Sequence, residues 1–337
     1  MGWEANQAMK AAVVTAVGGP WEIQSVPDPK IEAGQVLVKM HASGICYSDV
    51  YETLGQMPGA FPRIIGHEPV GEIVAVGAGV TTRKVGDRVG TAWTQATCGR
   101  CEWCLRGRTN FCTTDPKITG INVPGGHAEF MPMYADTTTL IPDGLSYEQA
   151  APLFCAGYTV WSGLRLAAPA PHERVAVLGI GGLGHLAVQY AKAAGFETIA
   201  ISHSPDKDKF IRELGADEIV RDGKSLLAAG GADIVLSTTN SVPAMSDSVN
   251  GLRPDGRLVI MGAGGEPLAL STITLLSKRI RVIDSTQNGR EYLYEALDYA
   301  AKGKVKVIAE TYKLDEAPKA YARVAEGTVR FRAVLAI

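Results

Sequence analysis

What the chain lacks narrows its chemistry before any motif is read. It has no excess of charge of either sign: 33 Lys and Arg stand against 35 Asp and Glu. The formal net charge of -2 leaves no basic footprint for a nucleic-acid backbone. No apolar run approaches the roughly 20 residues needed to span a bilayer. The opening Met1-Gly2-Trp3-Glu4-Ala5-Asn6-Gln7 has neither the basic nor the apolar region of a secretory signal. A soluble, cytoplasmic protein with a small-molecule partner is expected, without nucleic acid or membrane. Internal repeats and low-complexity tracts are absent as well. Cysteine is scarce, with six in 337 residues, and a chain of this kind reads its cysteines as metal or catalytic thiolates rather than as a disulfide framework.

Every one of those six falls where a metal ion could use it. Four form Cys98-x2-Cys101-x2-Cys104-x7-Cys112, in a lobe at about 95–113, and four thiolates this close together are the signature of a closed structural zinc site. An iron–sulfur cluster is the rival. Ferredoxin spacing would place the fourth cysteine after three residues with proline behind it, whereas here the gap is seven and Thr113 follows. Cys46, His67 and Cys155 stand apart. Taken singly each has an ordinary explanation, a buried small hydrophobe or a satisfied core histidine, and no spacing rule joins residues so distant. Together they are the donor types of an open catalytic zinc site, which takes three protein ligands and leaves a position for water or substrate.

The length suits two domains. Short Val- and Gly-rich segments in the first half, such as 35–40 and 71–76, predict a mostly antiparallel β body. From Arg174 the rhythm changes to strand-like runs at 175–178, 198–201, 217–220, 233–236 and 258–260, alternating with helix-length stretches. That is the pattern of a parallel sheet covered on both faces. The fold class is therefore α/β, with a doubly wound domain at 156–292 and the β domain at 1–155 and 293–337. A helix over 291–302 and a strand-like tail from Val329 are expected to return to the first domain.

Between the run at 175–178 and the following helix lies Gly179-Ile180-Gly181-Gly182-Leu183-Gly184. Glycines at Gly179, Gly181 and Gly184 meet the dinucleotide fingerprint, which seats a pyrophosphate on a helix N-terminus. The residue that would hold the 2′-hydroxyl of NAD lies about twenty positions on and is normally acidic. Here it is Ser202, within Ile201-Ser202-His203-Ser204-Pro205-Asp206-Lys207. With no carboxylate to repel it, a 2′-phosphate could be held by Ser202, Ser204 and Lys207, which favours NADP over NAD. Ser204 also reads as a helix N-cap with Pro205 behind it, and Lys207 as a solvated charge. Asp206 and Asp208 weigh toward NAD.

At this point the chain resembles, over essentially its whole length, the zinc-containing medium-chain alcohol dehydrogenases. The carrying motifs are Gly66-His67-Glu68-x2-Gly71-x5-Gly77, the four-cysteine lobe, Cys155-Ala156-Gly157-x-Thr159, Gly179-Ile180-Gly181-Gly182-Leu183-Gly184-His185 and Gly215-Ala216-Asp217. The serine-and-lysine pattern is similar to NADP-using cinnamyl-alcohol-dehydrogenase relatives, and other stretches to bacterial tetrameric alcohol dehydrogenases. The resemblance implies a GroES-like catalytic domain and a Rossmann cofactor domain, two zinc ions per chain, and a homo-oligomer, dimer or tetramer. It implies a catalytic zinc on Cys46, His67 and Cys155 with Glu68 just behind, Thr159 approaching the nicotinamide, and Arg290 contacting the cofactor phosphates. Trp93 matches a position that faces substrate in relatives; Tyr51 and Met57 are candidates to join it in an apolar wall, and Met57 reads equally as core packing.

The expected reaction is reversible hydride transfer between NADP(H) and a primary alcohol or aldehyde, aliphatic or aromatic, with zinc polarising the substrate oxygen. Ser48 can relay the proton, and Asp49 can accept the ring N–H of His67 and fix its tautomer. As turn-forming polar residues, both also have a plainer reading. Many relatives carry a histidine three residues after the hydroxyl. This chain has Tyr51, whose ordinary pKa near 10 makes it a poorer base at neutral pH. Ribose hydroxyls and water, or His41, His185 or His203, would then finish the relay. The rivals are an NAD-preferring polyol or formaldehyde dehydrogenase and, from another class, a non-catalytic zinc-stabilised dinucleotide-binding sensor or scaffold. A quinone or enoyl reductase on the same fold would not need Cys46, His67 and Cys155 together.

Overall fold

In the computed structural model, which describes residues 8–337, the longest strand of the first half is Gln35–Ile45. All its residues but Lys39 and His41 are buried, so the strand reads as a continuous apolar run rather than an alternation. It is buried because it is flanked twice. Glu68–Val76 pairs along one edge, while Phe130–Tyr134 and then Arg332–Ala336 share the other. Arg88–Gly90 and Thr139–Leu140 extend the sheet on one side and Ala309–Lys313 on the other, to seven strands. Every pairing in it is antiparallel except that of Ala309–Lys313 with Arg332–Ala336. A three-stranded sheet of Trp21–Pro27, Ala8–Val14 and Arg63–Ile64 completes this body. The cysteine lobe springs from a separate ribbon, in which Thr94–Ala96 pairs with Lys117–Ile118.

The second body is a six-stranded sheet, parallel throughout. Its order is Glu218–Val220, Glu197–Ile201, Arg174–Leu178, Ala232–Ser237, Leu252–Ile260, Arg281–Asp284. In chain order that is 3-2-1-4-5-6, the Rossmann arrangement. Strand order reverses between Arg174–Leu178 and Ala232–Ser237, and ligands of such sheets bind beyond the carboxyl ends of the strands at that switch point. The Gly-rich turn follows the first of these two strands directly. The edge strand Arg281–Asp284 was not among the strands read from sequence. Three of its four residues are exposed, so it lacks the apolar run that marked the others.

The two units divide at Cys155, and the chain returns to the first at Val307. Sequence reasoning placed that return at 293 and assigned the helix near 291–302 to the first domain. The helix Arg290–Ala301 packs instead within the second unit. The Tyr190 hydroxyl donates to the Ala296 carbonyl at 2.9 Å, and Trp161 Nε1 donates to Glu295 at 2.6 Å. Its apolar face, Leu293, Ala296, Leu297 and Ala300, is buried there, and periodicity alone does not say against which body a face is buried. A helix at Ala317–Ala325 in the first unit also escaped sequence reading.

The 3₁₀ turn Ala151–Phe154 carries the chain into Cys155 and is buried throughout. It packs on Gln35–Ile45 and Glu68–Val76, the strands that lead into Cys46 and out of His67. Phe154 has no exposed surface. Phe154→Ala should therefore cost about 3–5 kcal/mol of stability, measured by denaturant unfolding. A loss under about 1 kcal/mol would mean that the turn is not anchored by this ring.

Candidate active site

Cys46 directly follows the central strand and is the N-cap of the helix Tyr47–Thr53, so it stands at the junction of strand and helix. His67 immediately precedes the strand Glu68–Val76, and Cys155 follows the buried 3₁₀ turn. Three separate elements thus converge. Cys46 Sγ and Cys155 Sγ are 3.9 Å apart, and His67 Nε2 lies 3.3 Å from Cys155 Sγ. One ligand atom from each of Cys46, His67, Glu68 and Cys155 lies within 4.8 Å of all the others. A tetrahedral zinc with Zn–S near 2.3 Å and Zn–N near 2.0 Å separates its ligands by roughly 3.5–3.8 Å. The residues fit the ion.

The three side chains perturb one another strongly. The Cys155 contact holds the Cys46 thiol well below its ordinary range, against the cost of burial, and the same contact pushes Cys155 well above. Burial acts to lower His67, but its contacts with Cys155 and Asp49 outweigh it and raise the imidazole well above 6.5.

Behind the ligands stands a carboxylate from the next helix. Asp49 Oδ2 accepts the Cys46 backbone N–H at 2.7 Å, and Asp49 Oδ1 is 3.2 Å from His67 Nδ1. A proton on Nδ1 would face this carboxylate and leave the Nε2 lone pair toward the sulfurs. Glu52, one turn on, brings a second carboxylate to 3.6 Å from the same nitrogen. Burial pushes Glu52 up to about 7. Glu68 is wholly buried, burial likewise pushes it up to about 7, and Arg332 Nη2 donates to its Oε1. Its other oxygen fills the space beside Gly44, where a Cβ would come within 1.8 Å. Only glycine permits that approach.

Ser48 is half-buried, with Oγ 3.7 Å from Cys46 Sγ. The Trp93 ring meets His67 edge-on at 4.9 Å between centroids. Tyr51 packs edge-on against Tyr47 at 5.1 Å, and Met57 is half-buried beyond the helix. Of the histidines weighed as relay members, His41 stacks on Tyr147 at 4.4 Å. His185 lies in the second unit with Nδ1 3.1 Å from the Gly181 carbonyl, and His203 is exposed. Glu52, His127, Arg63 and Arg332 were not anticipated. Only Glu52 had a signal, its i+3 spacing from Asp49 on one helical face.

In the lobe, Cys98, Cys101, Cys104 and Cys112 bring their sulfurs within 4.8 Å of one another, with Cys98 and Cys104 at 3.9 Å. Backbone N–H donors from Cys104 and Thr113 lower Cys101 to about 6. Four thiols in this cage fit a second zinc.

In the second unit the three fingerprint glycines have different reasons to exist. Gly179 sits at φ 84°, with Thr239 close beside it, and a Cβ on Gly184 would come within 2.0 Å of the Gly179 carbonyl. Gly181 has neither constraint: nothing of the protein stands within 4 Å of where its Cβ would be. Glycine there leaves open space on the outer side of the turn, which fits close approach by a ligand. Gly182 and Leu183 complete the turn before the helix Gly184–Ala193. Thr159 is buried on the helix Ala156–Leu166, and Arg290 is exposed at the first position of its helix. At the end of Glu197–Ile201, Ser202 is buried and its Oγ accepts from Ser204 N at 3.3 Å. Ser204 stands at the N-cap of a short 3₁₀ turn without a side-chain capping bond, and Lys207 Nζ donates to the Ile180 carbonyl at 3.4 Å.

Two family models match the chain, "Alcohol dehydrogenase GroES-like domain" over residues 32–143 and "Zinc-binding dehydrogenase" over 182–302. An alcohol dehydrogenase of Geobacillus stearothermophilus is 39% identical over 98% of this chain and 100% of its own length. The crystal structure of an alcohol dehydrogenase from the archaeon Aeropyrum pernix superposes with a TM-score of 0.89 at 32% identity, covering 97% of this chain and 100% of that one. A cinnamyl alcohol dehydrogenase from Sorghum bicolor gives 0.88 at 30% identity, over 98% and 97%.

His127 is wholly buried beside Trp21, with Nε2 3.9 Å from Asp49, and burial lowers it to about 4. An unfolded histidine titrates near 6.5, so between pH 6.5 and 4 the unfolded chain binds the extra proton. The stability held above pH 6.5 is therefore lost as pH falls through that window, by up to about 3 kcal/mol. His127→Phe should flatten this acid limb in urea titrations from pH 7 to 4, and an unchanged limb would rule His127 out as its source.

Proposed function

The chain belongs to the zinc-binding alcohol dehydrogenase family, and from that premise we propose that it interconverts primary alcohols and aldehydes with NADP(H). The observation that carries the reading is the convergence of Cys46, His67 and Cys155, each from a different element, on one volume the size of a zinc ion. Cys46, His67 and Cys155 would hold the catalytic zinc, and Cys98, Cys101, Cys104 and Cys112 the structural one. Zinc supplies Lewis acidity toward a substrate oxygen, and the nicotinamide supplies the hydride acceptor or donor.

The side chains do the rest. Asp49 orients the His67 ring and fixes its tautomer, and Glu68, paired with Arg332, sets the negative charge behind the ligands. Ser48 is the proton carrier: its hydroxyl, next to Cys46, can take a proton from an alcohol and pass it outward. Tyr51 takes the place of a histidine base and at neutral pH is a weak one, so water and ribose hydroxyls finish the path. Trp93, with Tyr51 and Met57, forms an apolar wall that favours aliphatic or aromatic groups over charged ones. In the second unit the Gly-rich turn holds the pyrophosphate, with Thr159 toward the nicotinamide and Arg290 toward the phosphates. NADP is favoured because Ser202, Ser204 and Lys207 offer donors and a positive charge where an NAD enzyme carries an acid. The assembly is proposed to be a homo-oligomer.

Assay of the purified protein with NADP and with NAD, over a panel of alcohols and aldehydes, tests the reading. Turnover with NADP exceeding that with NAD is expected, and a marked preference for NAD would overturn the role of Ser202, Ser204 and Lys207. Ser48→Ala should lower kcat by about 10²–10⁴, while Tyr51→Phe does much less. Undiminished turnover in Ser48→Ala would remove the relay. Metal analysis should give two zincs per chain, falling to one in Cys46→Ala. One zinc in the unaltered protein, with no turnover on any substrate, would favour the non-catalytic dinucleotide-binding reading.

A further inference from the structure

The strand Glu197–Ile201 ends without a carboxylate of its own, yet one stands close by. Asp208 opens the helix Asp208–Glu213, and Arg221 grips both its oxygens, Nη1 to Oδ1 at 2.9 Å and Nη2 to Oδ2 at 2.5 Å. The same Nη1 donates to the main-chain carbonyl of Ser202 at 2.9 Å. Two oxygens sharing one nitrogen at these distances lie within about 6 Å of each other. A carboxylate is therefore beside the residue that reads the ribose, and what decides its effect is the guanidinium between them.

We propose that Arg221 is a determinant of cofactor choice, which neutralises Asp208 and pins Ser202 so that this corner accepts a 2′-phosphate rather than a 2′-hydroxyl. The inference rests on the NADP reading above. Left unpaired, Asp208 would repel a phosphate dianion and could accept the hydrogen bond of a ribose hydroxyl, as the acid of an NAD site does. Arg221 can reach it because it follows Glu218–Val220, the strand paired in parallel with Glu197–Ile201. The fork of its guanidinium matches a carboxylate at two points, which a lysine could not do. Arg221 holds the Asp208 carboxyl below its ordinary range, and Asp208 raises Arg221 in return. The next acid along, Asp222, is engaged elsewhere, capping the helix Gly223–Ala228 by accepting from Ser225 N at 2.7 Å. Asp206 is exposed. Lys207 is then left as the charge that faces the phosphate. The Arg221 and Asp208 side chains are 40% and 33% exposed, so the pair adds little to stability and acts on the local potential instead.

Adenosine 2′,5′-bisphosphate and adenosine 5′-monophosphate, titrated calorimetrically into the full chain, isolate the 2′-phosphate from turnover. The unaltered protein should bind the bisphosphate about ten-fold or more tightly than the monophosphate. Arg221→Ala should remove about ten-fold of the bisphosphate affinity and leave the monophosphate within about two-fold, and adding Asp208→Asn should restore most of the loss. An equal loss for both nucleotides, or no recovery in the double variant, would overturn the role of Arg221. So would full selectivity in Arg221→Ala. An unaltered protein that does not favour the bisphosphate would overturn the NADP reading itself.

Discussion

The first unit depends on one buried carboxylate. Asp49 has no exposed surface, yet one of its oxygens accepts the Cys46 N–H and the other stands 3.2 Å from the His67 ring nitrogen, next to both residues at their common point. Cys46 lies on the end of a strand and His67 at the start of another, so nothing in the ladder alone fixes the angle between their donor atoms. Asp49 does so by accepting from the main chain of one ligand and standing against the ring of the other. A bare carboxylate in an apolar interior is costly, and the cost is offset by the main-chain N–H that Oδ2 accepts and by the His67 ring that faces Oδ1. Remove either partner and the same burial becomes a penalty.

Charge around that point follows the same constraint. Glu68 is buried against Arg332 and Glu52 stands 3.6 Å from His67 Nδ1, yet burial pushes both carboxyls up to about 7. At both positions desolvation outweighs the neighbouring positive charge. Zinc enters this scheme as the answer to the two thiols. The second unit solves the opposite problem, since its Gly-rich turn is shaped by backbone rather than by charge. Two of its glycines are demanded by the turn and by helix packing, and the third leaves room for what binds.

How much of this could be read in the sequence depends on how far apart the interacting residues are. The cysteine lobe was legible from spacing, because its four donors lie within fifteen positions, and the Gly-rich turn because strand, turn and helix are contiguous. The catalytic trio was not legible from spacing, since 88 positions separate His67 from Cys155. It became legible only in company with the family's motifs. Arg332 is 264 positions from Glu68, and no local pattern links them. His127 carried no motif that set it apart. The strands of the second sheet were legible where they are buried on both faces, and the exposed edge Arg281–Asp284 was not. The return of the chain at Val307 was missed for the same reason: an apolar helical face announces that it will be buried, not where.

The two metal sites also differ in what holds their surroundings together. Cys46, His67 and Cys155 are set among strands and a turn whose side chains are almost wholly buried, so packing alone brings them together. The lobe has no such support. Its helix Glu102–Leu105 and the 3₁₀ turn Thr109–Phe111 contain no buried residue, and Leu105 and Phe111 are 75% and 53% exposed. A segment that buries so little apolar surface cannot offset the entropy of ordering its own backbone. Four sulfurs converge there nonetheless, so the free energy that orders the lobe has to come from the bonds those sulfurs make, and metal binding and folding of this segment are one event.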